Sequence, residues 1–138
     1  MQNESQALAI FISAFRQTYQ DAFLRNHIDV NEKTINLLPV KITPEISERF
    51  SSSVQGDIVV RTVSDRPRNT DNAANPFELE MIQYFQDNPQ EQQRFIEKDD
   101  IFYYTQPLRI KESCLKCHGK RKDAIPSIRD KYENAYDY

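Results

Sequence analysis

The stretch Cys114-Leu115-Lys116-Cys117-His118 gathers both cysteines of the chain and one of its two histidines. Two thiols separated by two residues, with an imidazole next in line, form the pattern by which a haem is covalently attached to protein. The gap lets both sulfurs add across the vinyl groups of one rigid macrocycle, and the following residue turns its imidazole beneath the iron. Ligation by His118 leaves a sixth position that decides between electron transfer and gas binding. The expected cofactor is therefore one haem c, attached through Cys114 and Cys117, with His118 on the iron.

Rival readings of the same residues are weighed beside it. Zinc would need Cys114, Cys117, His118 and the remote His27 as four ligands, and adjacency of Cys117 and His118 strains tetrahedral ligation by both. A thioredoxin-like dithiol sits between a strand and a helix, and Gly119-Lys120-Arg121-Lys122 does not open a convincing helix. Both cysteines lie inside the motif, so none remains to staple the fold elsewhere.

For the sixth position the candidates are His27, Met81, water or an open site. His27 falls four residues after Phe23 and continues an apolar stripe, although a helix-end histidine facing the C-terminal dipole explains it as well. Met81 on an apolar helix face is ordinarily packing. Arg66, Arg68, Arg109, Lys111 and Lys116 are candidates to neutralise haem propionates, because buried carboxylates need paired cations. Arg68 is preferred, since it lies in a long polar connection expected to cross the pocket.

The elements that must position these groups are read from periodicity. Leu8, Phe11, Ile12, Phe15, Tyr19 and Phe23 recur at three- and four-residue steps, predicting a long amphipathic helix from Ser5 to about Ile28 with Arg16, Gln20 and Arg25 on its polar face. A shorter helix is expected from Asn31 to Leu38, ended by Pro39, and a further one starts at Thr43-Pro44-Glu45. Ser51 to Ser53 reads as a loop, and the β-branched run from Asp57 to Val63 as a strand. Asn75-Pro76-Phe77-Glu78 reads as a capped helix start, with Phe77, Met81, Tyr84 and Phe85 on one side and a stop before Asn88-Pro89. Arg94 to Glu97 and Ile101 to Thr105, flanking Lys98-Asp99-Asp100, predict an antiparallel hairpin that Leu108 to Lys111 extends. Phe102, Tyr103 and Tyr104 read as sheet core. From Lys120 onward the chain reads as a charged loop.

These elements make the fold class α+β, in a single domain over residues 1–138. A helical segment is expected over 1–40 and an α+β core over 41–138, with the motif at 114–118. A net charge of −3 argues against nucleic acid as a partner, because phosphate contacts need a basic face. No run approaches the roughly 18 to 20 apolar residues of a membrane span, and no export signal is evident. No serine or carboxylate constellation suggests an enzyme.

The chain resembles the haem-c, PAS-like sensor domains at the periplasmic front of bacterial histidine kinases, diguanylate cyclases and chemoreceptors. Carrying that resemblance are Leu38-Pro39, Arg66-Pro67-Arg68-Asn69 with Asn72, Asn75-Pro76-Phe77-Glu78, Gln106-Pro107-Leu108, the haem motif through Gly119, and the tyrosine-bearing segment Tyr132 to Tyr138. Thr70 and Ala74 stand where prolines are usual. The resemblance implies a small antiparallel sheet with a long amino-terminal helix and flanking helices, one covalent haem, and a sixth ligand that varies among relatives. This chain has no third cysteine to serve as one.

The function so implied is a periplasmic input domain that converts iron redox state, or binding of a diatomic gas, into a shift of its helices. A membrane-anchored receptor output domain is the expected partner, and pairing through the first helix would give a homodimer. Covalent attachment of haem outside the cytoplasmic membrane implies the periplasm. The competing expectations are a soluble monohaem electron carrier and a zinc-binding interaction module.

Overall fold

The computed structural model describes residues 2–29, 31, 33–53, 58–124 and 126–131. Helix α1 spans Gln2–Arg25 and buries Phe23, with Leu8, Ile12, Phe15 and Tyr19 half-buried along the same side. Phe11, expected in that stripe, lies outside it at 67% exposure. The helix ends earlier than predicted, and its end is built by His27. The His27 amide donates to Leu24 O and the Ile28 amide to Phe23 O, both at 3.2 Å, while His27 takes the left-handed φ of 49°. This is a Schellman stop in which histidine occupies the place usually held by glycine.

Instead of a helix over Asn31 to Leu38 there is a single 3₁₀ turn, Ile35–Leu37, which buries Ile35. Helix α2 then runs Pro39–Ser53 without a break at Pro44. Pro39 is the better start because its missing amide falls where no partner exists, whereas Pro44 deprives only Val40 of an acceptor bond. Thr43 Oγ1, buried one turn in, donates to Pro39 O at 2.6 Å. Ser51 to Ser53 complete this helix rather than forming a loop, and a boundary at residue 40 would cut through it.

The segment 58–63 is extended but pairs with no strand among the described residues. Its polar groups turn to α2: the Val60 amide donates to Ser47 Oγ at 2.9 Å, and Ser51 Oγ donates to Ile58 O. A parallel bridge between Ser64 and Ala73 follows, with Ser64 N to Asn72 O at 2.9 Å and Ala74 N to Ser64 O at 3.1 Å. That bridge closes the neck of the loop holding Arg68.

Helix α3, Pro76–Asp87, starts at the predicted capping box: Asn75 Oδ1 accepts from the Glu78 amide at 2.9 Å and Glu78 Oε2 from the Asn75 amide at 2.8 Å. Strands β1 (Arg94–Lys98) and β2 (Ile101–Thr105) form an antiparallel hairpin in register from Arg94↔Thr105 to Lys98↔Ile101. Asp99 and Asp100 both have positive φ, 53° and 60°, as a tight hairpin turn requires. The Phe77 and Tyr103 ring centroids are 4.4 Å apart and the Arg94 guanidinium lies 3.9 Å from the Tyr84 ring, packing α3 on the hairpin, while the cross-strand pair Phe95 and Tyr104 stand 4.9 Å apart within it.

Residues 106–111 do not continue β2. They run along α1, with Gln106 Nε2 donating to Ser13 Oγ at 2.8 Å and Lys111 Nζ to Gln17 Oε1 at 2.9 Å. A 3₁₀ turn, Glu112–Cys114, leads into the short helix α4, Leu115–His118. A further 3₁₀ turn, Arg121–Asp123, and helix α5, Pro126–Lys131, occupy the region predicted to be loop. Ala124 and Ile128 from this region join Phe23 and Ile35 in a buried core, against which Tyr19, Leu38 and Cys117 pack. The architecture is α+β with a long amino-terminal helix and a two-stranded antiparallel sheet. No helix among the described residues is long and apolar enough to cross a membrane.

Candidate cofactor site

Cys114 is the residue before α4 and Cys117 lies three positions on, so the two thiols emerge one helical turn apart. Neither is in a disulfide, and both are half-buried. Gln20 Nε2 of α1 approaches Cys114 Sγ at 4.0 Å, while Cys117 packs against the core. Gly119 ends α4, its amide donating to Leu115 O at 2.9 Å. A Cβ at Gly119 would stand 2.5 Å from that same backbone oxygen, so the tight exit from the motif needs glycine.

His118 is half-buried and its Nδ1 is shielded from solvent. Burial holds its pKa below the ordinary imidazole value, and the Arg68 and Arg16 guanidinium groups push it in the same direction. At neutral pH the ring is therefore uncharged, which is the state that offers a lone pair to a metal.

Arg68 reaches in from the loop between α2 and α3 and donates Nη1 to the carbonyl oxygen of Cys117. Arg16 comes from α1: its Nη1 donates to Thr43 Oγ1 of α2 at 3.1 Å and to Thr62 Oγ1 at 3.3 Å. Burial lowers the Arg16 pKa and Cys114 opposes the shift, so the guanidinium lies within electrostatic reach of both ends of the motif.

Of the predicted site residues, Cys114, Cys117, His118 and Arg68 converge on this place. His27 requires correction. Its side chain is exposed in the left-handed stop of α1, so the inward-facing imidazole on which the iron-ligand expectation rested is not there. Met81 is half-buried on α3. Among the other cations named for propionates, Arg109 donates to the carbonyls of Pro89 and, at 3.1 Å, Glu91, and Lys111 is held by Gln17. Arg66 is exposed beside Asp65 at 3.8 Å, and the Lys116 side chain lies outside the described residues, as does the segment Tyr132 to Tyr138.

Arg16 and Gln20 were assigned to a solvent face and are instead half-buried against the site. A second periodicity marks them: Ser13, Arg16, Gln17 and Gln20 recur at helical steps, and the structure gives each a partner from elsewhere in the fold or on α1 itself.

The donor set suits a covalently attached haem: two thiols a turn apart and outside any disulfide, an uncharged imidazole next to the second, and guanidinium groups nearby. For zinc a fourth ligand is required, and no cluster of three or more His, Cys, Asp or Glu side chains able to hold a metal ion forms among the described residues.

A long helix, a capped helix α3 packed on an antiparallel hairpin, and a Cys-x-x-Cys-His turn beside the long helix define a small α+β fold. The chain belongs to the Tll0287-like family, whose sequence profile matches residues 1–138. The crystal structure of the cyanobacterial haem-protein Tll0287 superposes with a TM-score of 0.70 at 16% identity, covering 98% of this chain and 85% of that one. At that identity the likeness establishes the fold. No curated protein matches the chain.

Proposed function

We propose that this chain is a haem c domain of the bacterial periplasm, attached through Cys114 and Cys117 with His118 on the iron. It serves as the input of a membrane receptor, responding to redox state or to a diatomic gas, and has no enzymatic role. The observation that carries the reading is the pairing of two thiols outside any disulfide with an adjacent imidazole kept uncharged by burial and by two guanidinium groups. Membership of a family that includes a haem-protein supports it.

A bound haem would supply a redox-active iron able to exchange a ligand. The residues of the chain do the rest. His118 keeps a lone pair at neutral pH. Arg68 fixes the carbonyl of Cys117 and so the turn that presents both sulfurs. Gln20 brings α1 against the motif, giving the long helix a direct view of events there. That contact favours an input domain over an electron shuttle, because a carrier has no need to tie its chemistry to a transmitting helix.

The deciding experiment is an absorption spectrum of oxidised and reduced protein after denaturation, from cells that mature c-type cytochromes, followed by mixing reduced native protein with carbon monoxide. Haem that stays with the denatured chain, and rapid carbon monoxide binding, are the expected results. A colourless protein overturns the haem reading. Covalent haem that refuses carbon monoxide and exchanges electrons fast makes the chain a carrier.

A further inference from the structure

Arg16 is a half-buried cation in the middle of α1, and among the described residues its hydrogen-bond acceptors are the neutral hydroxyls of Thr43 and Thr62. Among the described residues no carboxylate pairs with it. Taking a guanidinium out of water without an anion is costly, so its retained charge points to a use. Arg16 and Gln20 stand four residues apart on one face of α1, and that face meets the motif. One turn further along α1, Gln20 faces the Cys114 sulfur at 4.0 Å. Arg16 thus joins three parts of the fold: the long helix that carries it, the α2 and 58–63 layer that holds its Nη1, and the motif met one turn along the same helix face.

We propose that Arg16 couples the charge of the iron site to helix α1, raising the reduction potential of the iron and loosening its own hold on Thr43 and Thr62 when the iron is oxidised. The inference rests on the haem reading. Loss of one electron to an external acceptor such as ferricyanide leaves the iron one unit more positive, and a fixed cation nearby opposes that loss. By linkage the effect is reciprocal: whatever Arg16 does to the iron equilibrium, the iron does to the equilibrium of the Arg16 contacts. The shared element is α1, anchored to its neighbours at the same residue.

The test uses haem-loaded wild type, Arg16→Gln and Arg16→Lys. Potentiometric titration should place the midpoint of Arg16→Gln below that of wild type, with Arg16→Lys close to wild type because the charge remains. Amide hydrogen exchange over residues 12–20 of wild type should be faster in the oxidised than in the reduced protein, and this difference should shrink in Arg16→Gln. Equal midpoints for wild type and Arg16→Gln overturn the proposal, as does Arg16→Lys falling as far as Arg16→Gln, which would make packing rather than charge responsible. Absence of any redox-dependent exchange in wild-type α1 also overturns it, and that measurement stands even if Arg16→Gln does not fold. These results all leave the haem assignment intact, whereas wild type lacking covalent haem removes both.

Discussion

The guanidinium of Arg68 donates to the backbone carbonyl of Cys117, a residue 49 positions away in the chain. The acceptor is one of the last carbonyls of α4, which has no partner within so short a helix. A charged donor therefore closes the turn that carries the motif, and the Ser64–Ala73 bridge holds the loop from which that donor comes.

Arg68→Ala should cost about 2 kcal/mol, the usual range for a lost hydrogen bond to a charged group. Urea denaturation of haem-free protein measures it. Arg68→Lys should recover only part of the loss, since an ammonium lacks the planar fork of a guanidinium. Stability unchanged in Arg68→Ala would show that the loop does not brace the motif.

His27→Gly should stabilise the fold by about 1 kcal/mol, because histidine in the left-handed region bears a steric cost that glycine avoids. Thermal denaturation gives the sign. In the haem-loaded protein His27→Ala should leave the visible spectrum of the oxidised form as it is in wild type. A move towards high spin would restore His27 as an iron ligand.

Asn75→Ala removes half of the capping box on α3 and should cost about 1 kcal/mol. The loss should appear in chemical denaturation with no change in cofactor spectrum. Glu78→Ala should cost more, since Glu78 also pairs with Arg61 at 3.4 Å.

The lowered pKa of His118 gives stability a pH dependence of definite sign. Below the ordinary imidazole value of about 6.5, the unfolded chain takes up a proton that the folded chain resists. Folding is therefore strongest above that value and weakens as pH falls beneath it, levelling off once the folded pKa is passed. Denaturation midpoints of haem-free wild type and His118→Gln, compared between neutral and mildly acidic pH, isolate the contribution. An equal pH dependence in both proteins would mean that His118 titrates normally when folded.

The parts of the fold readable in advance were those written in local signals. Asn75-Pro76-Phe77-Glu78 specifies its own helix start, and Asp99-Asp100 between apolar runs specifies a hairpin. Residues 58–63 misled because β-branched composition expresses a fit to a pleated surface and does not supply a partner strand; here the Val60 amide found Ser47 instead. Helix α5 is too short to show a period, so Ala124 and Ile128 were hidden in a charged stretch although both are core. In the site, the motif and Arg68 were legible from residue type and spacing. Arg16 was not, because an amphipathic reading sends charge to water, whereas two threonine hydroxyls distant in sequence accept it inside. His27 was misplaced because no glycine or proline marked the point at which α1 stops.

Cys117 touches the cluster formed by Phe23, Ile35, Ala124 and Ile128. One residue of the motif thus takes part in the packing that joins α1 to α5. On the proposed reading, a haem held at Cys117 would share its anchor with this interior, so loosening of the packing around Phe23 would be felt at the motif.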